Sequence, residues 1–391
     1  MQIKRIYIGG WFQRTILHLT EIWKFFKFNS SGIDFPKSEL EKFHKLLAIK
    51  ELNWHSGPLE FIEVKTTKGI DFKIYEDGLI ILEKKFESLK EDFKKIKNYY
   101  DYRLSKSLSY IFSKGAPVPK ELANIKTILP YIVTMEGAQK NEMEKIFKDF
   151  KEKISTIVAA KESKIQVYRS TGLILINNIN NDKLAEEIIE SQIFFREFKS
   201  QLHRYLMIHR ILWEKIENIK EKGKIKGIEI DDLRNELSKY QKTITLINAR
   251  IEQMSAYLAT RQKITDSEKI AAYLQPLFQF KFETLIDTHN YIKNLWNMTT
   301  DYLNSAIEIF NELQTKRTQN TIASLQLITA IGVMAAIITN MGRESWPKLT
   351  PLGAFYVVLL LAMAWVLNFS ISTLYKNKKY EVKGEIEKDI K

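Results

Sequence analysis

Cysteine is absent from the 391 residues, and its absence removes several classes of protein at once. Without thiols the chain has no disulfide scaffold, no thiolate zinc site and no cysteine nucleophile. The sequence also lacks a Walker-type phosphate loop, His-Glu-x-x-His and Gly-x-Ser-x-Gly. His203 and His209 are spaced wrongly to share a helix face as metal ligands. We therefore do not expect an enzyme, and the residues identify no metal ligands and no cofactor.

Formal charge is missing from two long stretches near the C-terminus. No charged side chain occurs between Arg317 and Arg343, or between Lys348 and Lys376. Each stretch exceeds the roughly 20 apolar residues that cross a bilayer, so a two-helix transmembrane region is predicted over 321–375. The alternative is a buried helical hairpin of a large soluble protein, but uncharged runs of this length are rare outside membranes.

The start of the chain lacks the apolar core of a signal peptide, because it reaches the charged Arg14 first. Basic residues, here called the basic collar, border the outer ends of the two uncharged stretches: Lys316, Arg317, Lys376, Lys378 and Lys379. Positive charge favours the cytoplasmic side of a membrane. We expect a multi-pass protein of the cell membrane with both termini in the cytoplasm and a basic tail over 376–391.

The net charge of +13 favours an anionic partner. Lipid headgroups, a nucleotide ligand and nucleic acid all have the required charge. Because a membrane protein meets lipid headgroups in its own surroundings, we expect the lipid bilayer as a partner and no direct contact with nucleic acid.

Strand-like and helix-like segments alternate over 1–180, which predicts a cytosolic α/β domain. Strands at Leu59–Thr66, Ile70–Tyr75 and Leu79–Leu82 are separated by glycine turns and predict an antiparallel meander. The other predicted elements are helices over Lys37–Ile49 and Lys84–Ser113 and between Asn141 and Ile157, and strands over Thr127–Thr134, Ile165–Arg169 and Leu173–Ile176.

An anion-receptive corner is predicted at the N-terminus. A strand over Ile3–Ile8, the pair Gly9 and Gly10, and a helix over Trp11–Phe28 would form a strand, a turn and a helix start. The first amides of a helix are unsatisfied and attract anions, and Arg14 adds a positive charge. A plain tight turn is the alternative. Gly9, Gly10 and Arg14 are nevertheless the candidate residues for binding a nucleotide ligand.

Helical periodicity continues almost without interruption over 181–320, which predicts a long-helix stalk. Asp182–Lys222 and Asp231–Gln262 form an antiparallel helical hairpin around Gly223–Gly227. A capping-box pattern at Thr265–Glu268 predicts the start of the next helix. After Pro276 the chain has no glycine or proline until Gly332, so one rod is expected to run from the stalk into the membrane.

This rod carries two faces at heptad spacing. One, the apolar face, is suited to pack on other helices: Leu285, His289, Ile292, Trp296, Thr299, Leu303, Ala306, Phe310 and Leu313. His289 is interpreted as a hydrogen-bonded packing residue. The second face lies about halfway round: Asp287, Tyr291, Asn294, Met298, Asp301, Ser305, Glu308, Glu312, Thr315, Gln319, Ile322, Gln326, Thr329, Val333, Ala336 and Asn340.

Polar groups inside a membrane need water or protein beside them. Several copies around an axis would enclose water, so we expect a homo-oligomer whose pore is lined by Gln319, Ile322, Gln326, Thr329, Val333, Ala336 and Asn340. Asp301, Glu308 and Glu312 would form carboxylate rings that attract inorganic cations in a vestibule. The alternative is that the polar side chains only form hydrogen bonds between helices.

Two segments resemble the CorA family of divalent-cation channels. Ser305-Ala306-Ile307-Glu308 and Lys316-Arg317-Thr318-Gln319-Asn320 are similar to the family's passage from stalk to membrane. The resemblance covers about residues 180–380. It implies a CorA-like funnel: a cytosolic α/β domain, long antiparallel helices and a C-terminal two-helix transmembrane hairpin, assembled as a homopentamer that conducts cations under the control of the cytosolic domain.

The family's Gly-Met-Asn signature, which binds hydrated magnesium, is absent. The chain has Thr339-Asn340-Met341-Gly342 instead, so the resemblance does not extend to magnesium selectivity, although Asn340 would still offer a carbonyl ring to a hydrated divalent cation such as Mg²⁺. Divergent CorA-like proteins without the signature include membrane effectors of type III CRISPR antiviral systems, which respond to a nucleotide second messenger and disrupt the membrane. Such an effector is the alternative function, and a scaffold without a pore is a third.

Overall fold

A nine-stranded sheet forms the centre of the first of two units in the computed structural model, which describes residues 2–11, 18–32, 34–112, 129–160, 164–179, 181–341 and 351–382. The first unit comprises Met1–Met207 and Leu246–Asn294, and the second comprises Ile208–Thr245 and Leu295–Lys391. The sheet order is β2-β3-β4-β5-β1-β6-β9-β8-β7. Its strands are β1 Gln2–Trp11, β2 Ile49–His55, β3 Phe61–Thr66, β4 Asp71–Tyr75, β5 Leu79–Lys85, β6 Tyr131–Glu136, β7 Thr156–Ala159, β8 Gln166–Arg169 and β9 Leu173–Asn177.

The predicted meander is confirmed as β3, β4 and β5, which pair antiparallel through short turns. Strand β2 was missed. It pairs antiparallel with β3 and begins immediately after Ala48, whose φ of 52° ends the preceding helix. Strand β7 was also missed, because the helix predicted between Asn141 and Ile157 ends at Asp149. Both missed strands lie at the edges of the sheet, where only one neighbour fixes the backbone.

The glycine turn predicted after the first strand is wrong. Gly9 and Gly10 lie inside β1, paired with Ile81 and Ile80 of β5, and both are buried. The strand continues to Trp11, and the helix expected from Trp11 begins at Leu19. Gly9 is needed for close packing rather than for a turn: a Cβ atom there would lie 2.7 Å from Cδ1 of Ile193 and 2.8 Å from the carbonyl oxygen of Ile80.

We expect Gly9→Val to lower the free energy of unfolding by about 1–3 kcal/mol, because neither the backbone of β5 nor the packed Ile193 can move away without strain. Gly57→Val is the matched control, since a Cβ atom at Gly57 meets nothing within 4 Å. Denaturant unfolding of the two variants checks the prediction. Equal midpoints would contradict the close-packing role of Gly9.

Five shorter helices pack on the sheet and supply two apolar clusters. They are α1 Leu19–Phe28, α2 Lys37–Leu47, α3 Leu89–Tyr99, α4 Ser105–Phe112 and α5 Lys140–Asp149. The helix predicted over Lys84–Ser113 is α3 and α4 joined by a π-helical turn at Tyr100–Leu104. The predicted α/β class of this region is therefore confirmed.

In the part of the chain that the structure describes, five further helices, most of them long, follow the sheet: α6 Asp182–Lys220, α7 Glu229–Ser267, α8 Ala271–Phe278, α9 Phe282–Met341 and α10 Pro351–Asn377. The predicted pair of long helices in the stalk is confirmed as α6 and α7. The capping-box prediction at Thr265–Glu268 is wrong, because α7 ends there. The predicted rod does not begin directly after Pro276 either, since Gln279, with φ of 60°, ends α8 before α9 begins.

Helix α9 is 60 residues long, about 90 Å at 1.5 Å per residue. Within the described ranges no helix combines the length and apolar character of a membrane span. The transmembrane hairpin therefore remains a prediction from the sequence. Its connecting loop lies in 342–350, outside the described residues.

Candidate functional site: the two faces of the long helix

The apolar face of α9 is buried along its whole predicted length. Each side chain of this face, from Leu285 to Leu313, is at most 6% exposed, and Trp296 and Phe310 are fully buried. His289 lies in this face with its Nε2 atom 2.7 Å from the carbonyl oxygen of Ile251, as expected for a hydrogen-bonded packing residue. Heptad spacing in the sequence thus correctly identified the side of α9 that faces its neighbours.

The second face of α9 is exposed. Asp301, Glu308 and Glu312 are all exposed, with Glu308 and Glu312 one helical turn apart. The predicted pore-lining residues Gln319, Ile322, Gln326, Thr329, Val333 and Ala336 continue this exposed stripe toward the C-terminal end of the helix. The side chain of Asn340 lies outside the described residues. The described part of the face therefore offers carboxylates first, then amides, hydroxyls and apolar groups.

A two-stranded sheet lies near the outer ends of the two uncharged stretches, where the first stretch begins and the second ends. β10, Lys224–Lys226, lies between α6 and α7 and pairs antiparallel with β11, Lys379–Glu381, which follows α10. We call this pair the clasp. Gly227 comes directly after β10 and packs tightly against α10. A Cβ atom at this position would lie 2.3 Å from the carbonyl oxygen of Tyr375. The hydroxyl of Tyr375 in turn lies 2.8 Å from that of Ser324 on α9.

Arg317 ties α9 to the same place. Its Nη1 donates to the carbonyl oxygen of Gly227 at 2.6 Å, and its Nη2 lies 3.0 Å from Oδ2 of Asp231. Asp231 also accepts a hydrogen bond from Gln314 at 3.2 Å. The guanidinium of Arg317 is therefore directed to the start of α7, away from the second face.

A buried polar network in the first unit was missed from the sequence. Asp77 is fully buried and forms two bonds with Arg261 of α7, 2.7 Å from Oδ2 to Nε and 3.1 Å from Oδ1 to Nη2. Oδ1 of Asp77 also accepts from the Leu79 amide. Burial acts to lower the pKa of Arg261, but Asp77 raises it above its ordinary value. No local pattern links residues this far apart.

A cavity of about 20 Å³, lined among others by Lys73, Glu186 and Glu190, has room for about one water. Glu190 accepts a hydrogen bond from the Tyr75 hydroxyl, while Lys73 bonds to Glu186 at 2.7 Å. Burial raises the pKa of Glu190 despite the nearby cations, and burial likewise raises that of Glu83. These contacts join α6 to β4. The charged side chains of this cluster therefore form an internal network that positions α6 on the sheet.

The predicted nucleotide corner lacks its structural basis. Gly9 and Gly10 are strand residues, and Arg14 lies outside the described residues. The cation beside Gly9 is instead Arg196, whose Nη2 donates to the Gly9 carbonyl oxygen at 2.8 Å. Among the described residues no group of three or more histidine, aspartate or glutamate side chains is placed to hold a metal ion.

Comparison with known proteins gives little further. No family model and no curated protein matches the chain. The chain is similar to the solved structure of the CorA magnesium transporter from Methanocaldococcus jannaschii, with 10% identity, a TM-score of 0.16, and coverage of 65% of this chain and 92% of that one. A likeness at this level carries no argument, so the CorA resemblance depends on the residues quoted above.

Proposed function

We propose that the protein is a CorA-like oligomeric membrane channel that conducts cations, with the second face of α9 lining the conducting path. The observation that carries the proposal is the contrast between the two faces of α9. One face is buried from Leu285 to Leu313, while the opposite face is exposed from Asp287 to Ala336. A helix that satisfies its apolar side within one chain leaves its other side for another copy, for water or for lipid.

The chemistry of the exposed face favours water and cations. Carboxylates at Asp301, Glu308 and Glu312 would be repeated by symmetry around an axis, and low-dielectric walls would strengthen their field. Gln319, Gln326 and Thr329 continue with neutral groups that accept and donate hydrogen bonds. Facing lipid, these groups would be costly, whereas around a water-filled axis they are satisfied.

The membrane part of the proposal is supported by the uncharged stretches of the sequence and by exposed apolar side chains on α10. Phe355, Met363, Trp365 and Phe369 are each more than half exposed. Large apolar patches of this kind mark contacts with protein or membrane. We place α10 outside α9, toward lipid, with both termini cytoplasmic, in an assembly that the CorA resemblance makes a pentamer.

Inorganic cations, Mg²⁺ among them, fit the carboxylate rings. The alternative is an antiviral effector opened by a nucleotide messenger. It is a prediction from the resemblance, and the described structure adds no support for its candidate site, because Gly9 and Gly10 are strand residues and not a turn.

The absence of cysteine permits a direct test by single-cysteine substitution. We expect Gln326→Cys and Thr329→Cys to make cation flux through protein in liposomes sensitive to a charged thiol reagent, and to give disulfide-linked dimers between copies under oxidation. Ile331→Cys is the matched control, because Ile331 is also exposed, at 56%, but lies on the opposite side of α9.

Two results would overturn the proposal. One is a monomeric mass in detergent, which would leave the second face without copies to enclose water. The other is equal sensitivity to the reagent at Gln326→Cys and Ile331→Cys, which would show that the second face does not line the path.

A further inference from the structure

The exposed side of the clasp carries two lysines directly opposite each other. In the register of the two strands Lys226 faces Lys379, while Lys224 faces Glu381. Ile225 and Tyr380 point to the other side and are buried, so the four charged residues share the exposed side. Opposite charges across a strand pair stabilise it, and like charges directly opposite destabilise it.

One of the two cross-strand pairs is neutralised and the other is not. Lys224 lies 3.4 Å from the carboxylate of Glu381. Neither Lys226 nor Lys379 has a carboxylate within ion-pairing distance among the described residues. The clasp therefore contains a repulsive pair beside a balanced one.

Further cations lie close to the clasp in the sequence. Lys222 precedes β10, Lys376 lies at the end of α10, and both are exposed. Lys378 lies over the rings of Tyr375 and Tyr380, at 5.5 and 6.0 Å, and so is on the Tyr380 side of the clasp. A tetrahedral anion with several oxygens, such as a phosphate, would remove the repulsion and accept bonds from more than one ammonium group.

We propose that the exposed side of the clasp binds the headgroup phosphate of an anionic phospholipid, through Lys226 and Lys379. This deepens the proposed function, on which it rests, because the clasp lies where the uncharged stretches of α9 and α10 meet the charged part of the chain. The hydroxyl contact between Ser324 and Tyr375 marks that level on both helices. A lipid phosphate is fixed at the level of a membrane surface, whereas a free phosphate is not.

The test measures binding of short-chain phosphatidylglycerol to the full-length protein in neutral detergent, with short-chain phosphatidylcholine and inorganic phosphate in parallel. Each lysine near an anionic surface contributes on the order of 1 kcal/mol. The double change Lys226→Gln with Lys379→Gln is therefore expected to weaken phosphatidylglycerol binding about thirtyfold, which corresponds to about 2 kcal/mol.

Lys224→Gln is the matched control, since it removes a lysine from the same side of the same strand but one already paired with Glu381. We expect a loss of less than about threefold for it. Lys379→Glu separates binding from folding: it would replace repulsion by attraction across the clasp, so the unfolding temperature should rise while lipid affinity falls.

Equal affinities for the double variant and Lys224→Gln would overturn the proposal. Inorganic phosphate binding as tightly as phosphatidylglycerol, with the same dependence on Lys226 and Lys379, would also overturn it and assign the clasp to a soluble anion. Protein that stays in the soluble fraction after cell lysis would instead refute the proposed membrane channel. The lipid measurement does not depend on conduction, so the two failures are distinguishable.

Discussion

The triple change Asp301→Asn, Glu308→Gln and Glu312→Gln is expected to lower the ratio of cation to anion permeability about tenfold. All three side chains are exposed on one face of α9 and are repeated in every copy of a symmetric assembly. A narrow vestibule with low-dielectric walls concentrates counter-ions, and replacing carboxylates by amides of nearly equal size removes the charge while keeping the shape.

Reversal potentials in asymmetric salt across a planar bilayer measure this ratio. The matched control replaces three exposed carboxylates outside α9, Glu91→Gln, Glu214→Gln and Asp232→Asn, which changes the net charge equally. We expect little change in the control, because distant surface charges are screened within about 10 Å at 0.1 M salt. Anion preference in the unmodified protein would contradict the assignment of the second face to the pore.

The opposing charge of the basic collar does not reverse this expectation. Arg317 is held by Gly227 and Asp231, so its charge is directed toward the start of α7. Lys376 lies at the end of α10, and Lys378 and Lys379 follow that helix rather than α9. In the proposed assembly the collar would therefore surround the path, while the carboxylates would face it.

A second large effect is expected from Asp77→Ala. The substitution leaves the buried Arg261 with one remaining carboxylate, Glu190, at 4.0 Å. Breaking a buried ion pair from one side costs about 3–5 kcal/mol, because the other charge stays desolvated and unpaired. The Leu79 amide also loses its acceptor. We expect a fall of about 5 °C in the unfolding temperature of the full chain.

The control for Asp77→Ala is Glu51→Ala. Glu51 forms an equally short ion pair, 2.8 Å from Lys65, but both side chains are well exposed. Surface pairs of this kind contribute little, so no measurable shift is expected. Asp77→Asn should fall between the two, since an amide keeps the acceptor for Leu79 and loses the charge. Equal effects at Asp77 and Glu51 would show that burial of the Arg261 pair does not control stability.

Periodicity made part of the fold predictable. The buried face of α9 follows from apolar residues at heptad spacing, and β3 to β5 follow from apolar runs separated by glycine turns at Gly69 and Gly78. Both signals are local, because neighbours in sequence determine them. The edge strands β2 and β7 carry weaker signals, since within the described ranges each pairs with a neighbour on one side only.

The remaining features depend on residues distant in sequence. Gly9 was interpreted as part of a turn because paired glycines usually punctuate elements, yet its role is set by Ile193 of α6 packing against β1. The bond between Asp77 and Arg261 and the clasp likewise join segments that no window of sequence contains together. In the candidate site, the exposed stripe on α9 could be predicted from the sequence. The partners of Arg317 could be identified only from the folded structure.

The clasp also affects the order in which the chain can fold during synthesis. Its second strand follows its first only after four intervening helices, so β10 must wait without β11 while α7, α8, α9 and α10 are synthesised. Until then the tip between α6 and α7 has an open strand edge, which is a site for wrong pairing. A chain shortened just before Lys379 would keep every long helix and still leave this edge open, so closing the tip between α6 and α7 depends on a strand far along the chain.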